Sequence, residues 1–197
     1  MNTTVAEVET SFITVKECVF PYQLNKTLLP SDILPRIYDD LVAEDLLREL
    51  LHEQHMEKAA FVDFLESIPL SIFVDLQENR YVGLAWMADM SETETHYRAF
   101  GAYCFFKRYW DMKTSLLYGR ICVAQWFNPQ LFGLPFRGID LLLGMTPKPN
   151  RLSRIWSTRL GLKYVAVLPG FTSYHGKPAD GMICQVTREY FNKKWGI

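Results

Sequence analysis

Thiols and imidazoles are the side chains that titrate nearest neutral pH, and their spacing limits the chemistry open to them. Cys18, Cys104, Cys122 and Cys184 stand far apart with no C-x-x-C pair, so neither a zinc site nor a dithiol redox centre is written in the order of residues. Three of the four sit among apolar neighbours, where a reduced thiol packs as a small hydrophobe, and buried free thiols in a reducing compartment are the expectation. His52 and His55, three apart in helical sequence, could share a metal. With neither Cys nor another His near them, an exposed helical face is their expected role and no metal is expected.

A second kind of chemistry needs backbone groups, and the stretch from Gly138 to Leu168 is built to present them. Ile139, Leu141, Leu142 and Leu143 read as a mostly buried strand, and in the turn Thr146-Pro147-Lys148-Pro149-Asn150 the Pro-x-Pro can continue neither a ladder nor a helix. Asn150 stands where an N-cap is wanted. Leu152, Ile155, Trp156 and Leu160 fall on one helical face, with Arg151, Arg154 and Arg159 available to the other. Gly161 follows as the stop, and Leu162, Tyr164, Ala166 and Leu168 then alternate with Lys163, Val165 and Val167 as in a strand.

The elements that must hold this unit extend over the whole chain. With 197 residues, 49% hydrophobic and 22% charged, one well-packed domain over 12–197 is expected behind a flexible 1–11. A formal charge of -1 gives no overall field to draw in DNA or an anionic membrane. Met1 to Thr14 lacks the basic and apolar regions of a signal peptide, and no apolar run approaches the roughly 20 residues of a membrane span, so a cytoplasmic protein is expected. Phe12 to Val19 reads as a first strand, and Ser31-Asp32 caps helical sequence that continues to about Glu66, as two helices or one that bends near His52 to Lys58. Leu70 to Leu76 and Tyr81 to Met90 read as a hairpin turning at Gln77-Glu78-Asn79-Arg80, and Tyr97 to Phe106 as a central strand after the polar link at Glu92 to Glu94. Asp111 to Phe127 reads as a helix with Met112, Leu116, Ile121 or Cys122, Val123 and Phe127 inward. Asn128 to Arg137 and Pro169 to Ala179 read as loops, Met182 to Thr187 as the last strand, and Arg188 to Trp195 as a terminal turn. This order makes an α/β or α+β fold, a mixed sheet flanked by helices.

That order, with Met145-Thr146-Pro147-Lys148-Pro149-Asn150 and Arg159-Leu160-Gly161-Leu162, resembles the GNAT superfamily of acyl-CoA-dependent N-acyltransferases. The likeness covers about residues 12 to 192 and includes the ending Thr187-Arg188-Glu189-Tyr190-Phe191. It implies a mostly antiparallel sheet of about six to seven strands, acetyl-CoA or a related thioester as cosubstrate, and an amine acceptor. By resemblance, coenzyme A lies along the fourth strand at Cys104, Phe105 and Phe106 and meets the loop Lys107 to Ser115, while Asn150 lines the groove. The chain departs from the family where Gly is usual: Lys107-Arg108-Tyr109-Trp110-Asp111-Met112-Lys113-Thr114-Ser115 contains none. Either Arg108 or Trp110 can stand first in the loop motif, and divergent members, including phage-encoded ones, share an aromatic Tyr-Trp there.

Two readings of the loop follow. In one, Lys107, Arg108 and Lys113 supply charge, and Thr114 or Ser115 a hydroxyl, for phosphate. In the other, Asp111 is a helix N-cap and the basic residues are a solvated face. A second departure is Ser157, at the position of the family's usual acidic tyrosine; a serine hydroxyl is the poorer donor. Tyr103 or Tyr164 could replace that phenol if they face the cleft, and His96, entering the fourth strand, is the candidate base. The acceptor side would include Tyr22 to Tyr38 and the aromatic loop Phe171 to His175. The sequence therefore supports an N-acyltransferase or, alternatively, a GNAT-fold module without turnover. In the second case the aromatic patches at Tyr103 to Trp110 and Phe127 to Phe136 would suit a second copy or another protein.

Overall fold

The computed structural model describes residues 19–22, 30–50, 56–75, 80–93 and 96–197. Its strands are β1 (Val19–Pro21), β2 (Leu70–Asp75), β3 (Arg80–Glu92), β4 (Tyr97–Phe105), β5 (Leu141–Pro147), β6 (Lys163–Tyr174) and β7 (Lys177–Thr187), and its helices are α1 (Ile33–Ala43), α2 (Leu47–Leu50), α3 (Lys58–Ser67), α4 (Met112–Phe127), α5 (Arg151–Leu160) and α6 (Arg188–Trp195). The strands form one sheet in the order β1-β2-β3-β4-β5-β7-β6. Every neighbouring pair is antiparallel except β4 with β5. A parallel pair requires a long crossover, which α4 supplies.

Strand side chains alternate between faces, so each face of the sheet gathers its own apolar layer. On one face, Ile33, Ile37 and Leu41 of α1 and Phe61 and Leu65 of α3 pack on Ile72, Leu84, Trp86 and Cys104. On the other, Ile121, Cys122, Trp126 and Phe127 of α4, Leu160 of α5 and Phe191 of α6 pack on Phe73, Ala99, Leu142 and Cys184. Full burial of each large side chain contributes about 1.5–3 kcal/mol.

Local signals hold at the ends of α4 and α5, whereas Asp32 stands at the start of α1 without a side-chain cap hydrogen bond. The Asn150 side chain accepts from the Ser153 N–H at 3.0 Å, and the Asp111 side chain from Thr114 N–H at 2.8 Å. Gly161 ends α5 at φ 120° and donates to the Ser157 and Thr158 carbonyls. The α4 interior is broader than a stripe, for everything from Ile121 to Phe127 is buried. Even Gln125 is inside, its Nε2 donating to the Val19 carbonyl at 3.2 Å.

Three expectations are corrected. Leu152 faces solvent, 64% exposed, because α5 turns Trp156, Ser157 and Leu160 to the sheet instead. The segment from Pro169 to Ala179 is a hairpin rather than a loop: β6 continues to Tyr174, and β7 starts at Lys177. His175 and Gly176, at φ 50° and 74°, make the two-residue turn whose twist suits antiparallel strands. Pro169 and Gly170 are absorbed by the register shift between Leu168 and Thr172, as bulges allow on an edge strand. Arg188 to Trp195 is a helix capped by Thr187. The expectations for Phe12 to Cys18, Leu51 to His55, the turn at Gln77 to Asn79 and Glu94 lie outside the described residues, apart from Val19, which begins β1.

Candidate functional site

β4 and β5 share only three paired rows, Arg98 with Leu141, Ala99 with Leu142 and Phe100 with Leu143. Beyond them β4 stays with β3 as far as Phe105, while β5 stays with β7 as far as Pro147. Two strands that follow different neighbours in a twisted sheet must part. The closed end of the resulting V is pinned. Asp140 N–H donates to the Tyr97 carbonyl at 2.6 Å, and the Asp140 carboxylate accepts from the Tyr97 N–H at 2.9 Å. Arg188 donates to that carboxylate at 2.8 Å and to the Gly138 and Ile139 carbonyls.

The first row past the pairing is small. Gly144 of β5 pairs with Cys184 of β7, which pairs with Tyr164 of β6, and Gly101 is the facing residue of β4. A Cβ on Gly101 would lie 2.8 Å from Leu142 Cδ1 and 3.0 Å from Trp126, and one on Gly144 would lie 3.2 Å from Cys184 Sγ. Larger side chains close over this floor. Tyr103 packs on Trp126 and Trp156 with ring centroids 5.3 and 5.1 Å apart, and Trp156 also meets Phe105 at 5.7 Å. Trp156 lies so flat on α4 that a Cβ at Gly119 would be 2.5 Å from its Cζ2.

Hydrogen bonding is unfinished around the opening. The Tyr103 and Tyr164 hydroxyls, Trp156 Nε1 and Arg154 Nε are buried without hydrogen-bond partners, an arrangement that costs about 1–3 kcal/mol for each group left dry. Burial holds the Tyr103 phenol well above its ordinary pKa, with Cys122 and Cys184 beside it. Burial also raises Tyr164, where the hydroxyls of Thr146 and Ser157 lie close enough to moderate the shift but too loosely to satisfy the phenol. Burial pushes the Cys184 thiol up to about 12 and Cys122 higher still. Cys104, Cys122 and Cys184 are buried and none is in a disulfide.

At the open end, Phe106 N–H donates to Val82 in β3, so by strand alternation the Phe105 carbonyl faces the V. It accepts from Trp110 Nε1 at 2.7 Å. Lys107 N–H donates to the Glu44 carboxylate at 2.6 Å, and Arg108 reaches the Tyr81 carbonyl at 3.1 Å. Ser115 spends its hydroxyl on the Asp111 carbonyl at 2.8 Å, whereas Lys113 is exposed in the first turn of α4. Tyr103, Ser157, Phe105, Trp110 and the start of α4 are thus gathered around one opening. Cys104 and Phe106 turn their side chains to the opposite face, toward α1 and α3. His96 is not brought to the site. It sits at the pinned end of β4, where its N–H donates to Thr93 Oγ1, about 16 Å of strand from the Gly101 floor.

Two features go beyond the sequence reading, which placed Arg151, Arg154 and Arg159 on one helical face but showed no hollow there. Arg151, Arg154, Ile155, Thr158 and Arg159 line a surface hollow of about 480 Å³ on α5, and none of the three arginines forms an ion pair with a described residue. Charge is also divided along the chain. Residues 1–95 carry 6 Lys and Arg against 18 Asp and Glu, whereas residues 96–197 carry 15 against 4, net -12 and +11. The V is built from the second part, where Asp111 caps α4 and Asp140 and Asp180 are held by Arg188 and Lys148.

No family model and no curated protein matches the sequence. Solved structures do match the fold. Spermidine N-acetyltransferase from Vibrio cholerae, in complex with CoA and spermine, aligns with a TM-score of 0.69 at 8% identity, over 88% of this chain and 96% of that one. A GNAT-family acetyltransferase from Bacillus anthracis gives 0.55 at 10% identity over 72% and 81%. Ribosomal-protein-S5-alanine acetyltransferase from Vibrio fischeri gives 0.55 at 12% identity over 68% and 72%. With a parallel β4–β5 pair that parts into a V inside an otherwise antiparallel sheet, this chain has the GNAT acetyltransferase fold.

Proposed function

We propose that the chain is an acyl-CoA-dependent N-acyltransferase whose thioester lies in the opening between β4 and β5. One observation carries the reading: buried, unpartnered polar atoms of Tyr103, Trp156 and Tyr164 line a glycine-floored gap where two strands have given up their mutual hydrogen bonds. Such a gap suits an extended chain bearing amides, which pantetheine is, because the ligand would complete the strand edge and the orphan groups together. The V also belongs to the part of the chain with net charge +11, which favours a polyanionic ligand. Lys113 and the first turn of α4, together with Arg151 and Arg154 on α5, are the groups that would hold phosphate.

Acetyl-CoA would supply the acyl group. The chain's own part is to orient the thioester, exclude water with Trp156 and Tyr103, and leave backbone N–H groups of β4 facing the acyl oxygen as it gains charge. The acceptor is an amine, which must be neutral when it attacks.

A second reading, a binding or assembly module without turnover, draws on Trp110. Its indole N–H already occupies the Phe105 carbonyl, a group that an incoming pantetheine would use. Incubation with acetyl-CoA and a panel of amines, followed by free thiol, separates the readings. The first expects thiol release that depends on the amine. Stabilisation by acetyl-CoA without thiol release would favour the second.

A further inference from the structure

We infer that Trp110 and Glu44 form a latch across the open end of the V, each holding from within the chain a backbone group that an acyl-CoA takes when it seats. The inference rests on acyl-CoA binding between β4 and β5. Phe106 turns its N–H to Val82 in β3, so the Phe105 carbonyl and the Lys107 N–H on either side of it point away from β3. These two groups, one acceptor and one donor, are what a neighbouring strand would use opposite Phe106. β5 has parted from β4 before this row and pairs with β7 instead.

Side chains stand in for the missing neighbour, and they keep the polarity of each bond. The Trp110 indole N–H donates to the Phe105 carbonyl at 2.7 Å, and the Glu44 carboxylate accepts from the Lys107 N–H at 2.6 Å. The two arms come from different elements. Trp110 ends the short turn Lys107–Tyr109 that leads into α4, whereas Glu44 is the residue that follows α1. The Glu44 contact therefore ties the acidic part of the chain to the basic part that builds the V.

Neither arm is packed as core. Trp110 is 47% exposed, whereas Trp86 and Trp126 are 5% and 2%, and Lys107 is exposed beside it. Bonds made at the surface exchange against other partners with little net change in energy, so an extended ligand with successive amides can take over both backbone groups. A latch that must open first lowers the apparent affinity by the fraction of molecules that are open. Removing either arm therefore tightens binding, the opposite of deleting a contact to the ligand.

Two conservative variants test the latch. Trp110→Phe keeps an aromatic ring and removes the competing N–H, and Glu44→Gln keeps the side-chain length and removes the charge. Each is expected to bind acetyl-CoA about 5-fold more tightly than wild type in a calorimetric titration. In isotope-labelled protein the Trp110 indole N–H resonance is the one missing from Trp110→Phe. Saturating acetyl-CoA should move it toward the shift of free tryptophan. An indole resonance that stays in place at saturation, or a variant that binds no more tightly than wild type, would overturn the latch and leave acyl-CoA binding standing. Absence of acetyl-CoA binding by the wild type and by both variants would overturn the reading of the V itself, and the inference with it.

Discussion

The two ends of the β4–β5 pair solve opposite problems. At the closed end each exposed bonding group is matched: Asp140 and Tyr97 exchange two hydrogen bonds, and Arg188 ties the Asp140 carboxylate to the Gly138 and Ile139 carbonyls. Within a few residues along the same strands, the open end leaves Tyr103, Tyr164 and Trp156 with buried polar atoms unsatisfied. Native interiors rarely tolerate such groups. The proposed site draws on that difference: the closed end is finished structure, and the open end offers polar atoms that a ligand would satisfy.

Alkaline titration gives the largest expected effect, because the open end buries acids. The Cys122, Cys184 and Tyr103 pKa values are all raised by burial. Above about pH 9 the unfolded chain ionises its thiols while the folded chain keeps them protonated, so the unfolded state binds fewer protons and stability falls as pH rises. At about 1.4 kcal/mol per pH unit for each thiol, the loss is about 5 kcal/mol between pH 9 and 11. Urea unfolding across that range checks it, and a flat profile would mean that the thiols reach water.

Breaking the closed end comes next. Arg188→Ala removes the charge-assisted bonds to Asp140 and two carbonyls and is expected to cost about 3 kcal/mol, read as a lower denaturation midpoint. Overpacking the wall of the V should cost less. Gly119→Val forces atoms into the Trp156 ring, already only 2.5 Å from a Cβ there, for about 2 kcal/mol of destabilisation. The smallest effect sharpens the comparison most. Tyr103→Phe deletes an orphan hydroxyl and should leave the ligand-free protein within about 1 kcal/mol of wild type, with stabilisation favoured. A large destabilisation would show that the hydroxyl is satisfied after all.

What could be read from the sequence was local. Asn150, Asp111 and Gly161 act within one helical turn, so their side-chain type sufficed. The hairpin at His175-Gly176 was hidden by Pro169 and Gly170, which look like breakers unless the partner strand that absorbs a bulge is known. Leu152 misled because α5 turns Trp156, Ser157 and Leu160 to the sheet, which leaves Leu152 on the solvent side. The V depends on β4 choosing β3 while β5 chooses β7, a tertiary fact absent from either strand alone. The division of charge was in the sequence all along, and the sum of -1 concealed it.

The central claim is that the open end of the V is completed by an acyl-CoA. Thermal unfolding with and without acetyl-CoA tests it most directly. At about 100 times the dissociation constant, binding should contribute about 2.7 kcal/mol, a rise of roughly 5 to 10 °C for a domain of this size. An unchanged Tm at millimolar acetyl-CoA would contradict the account.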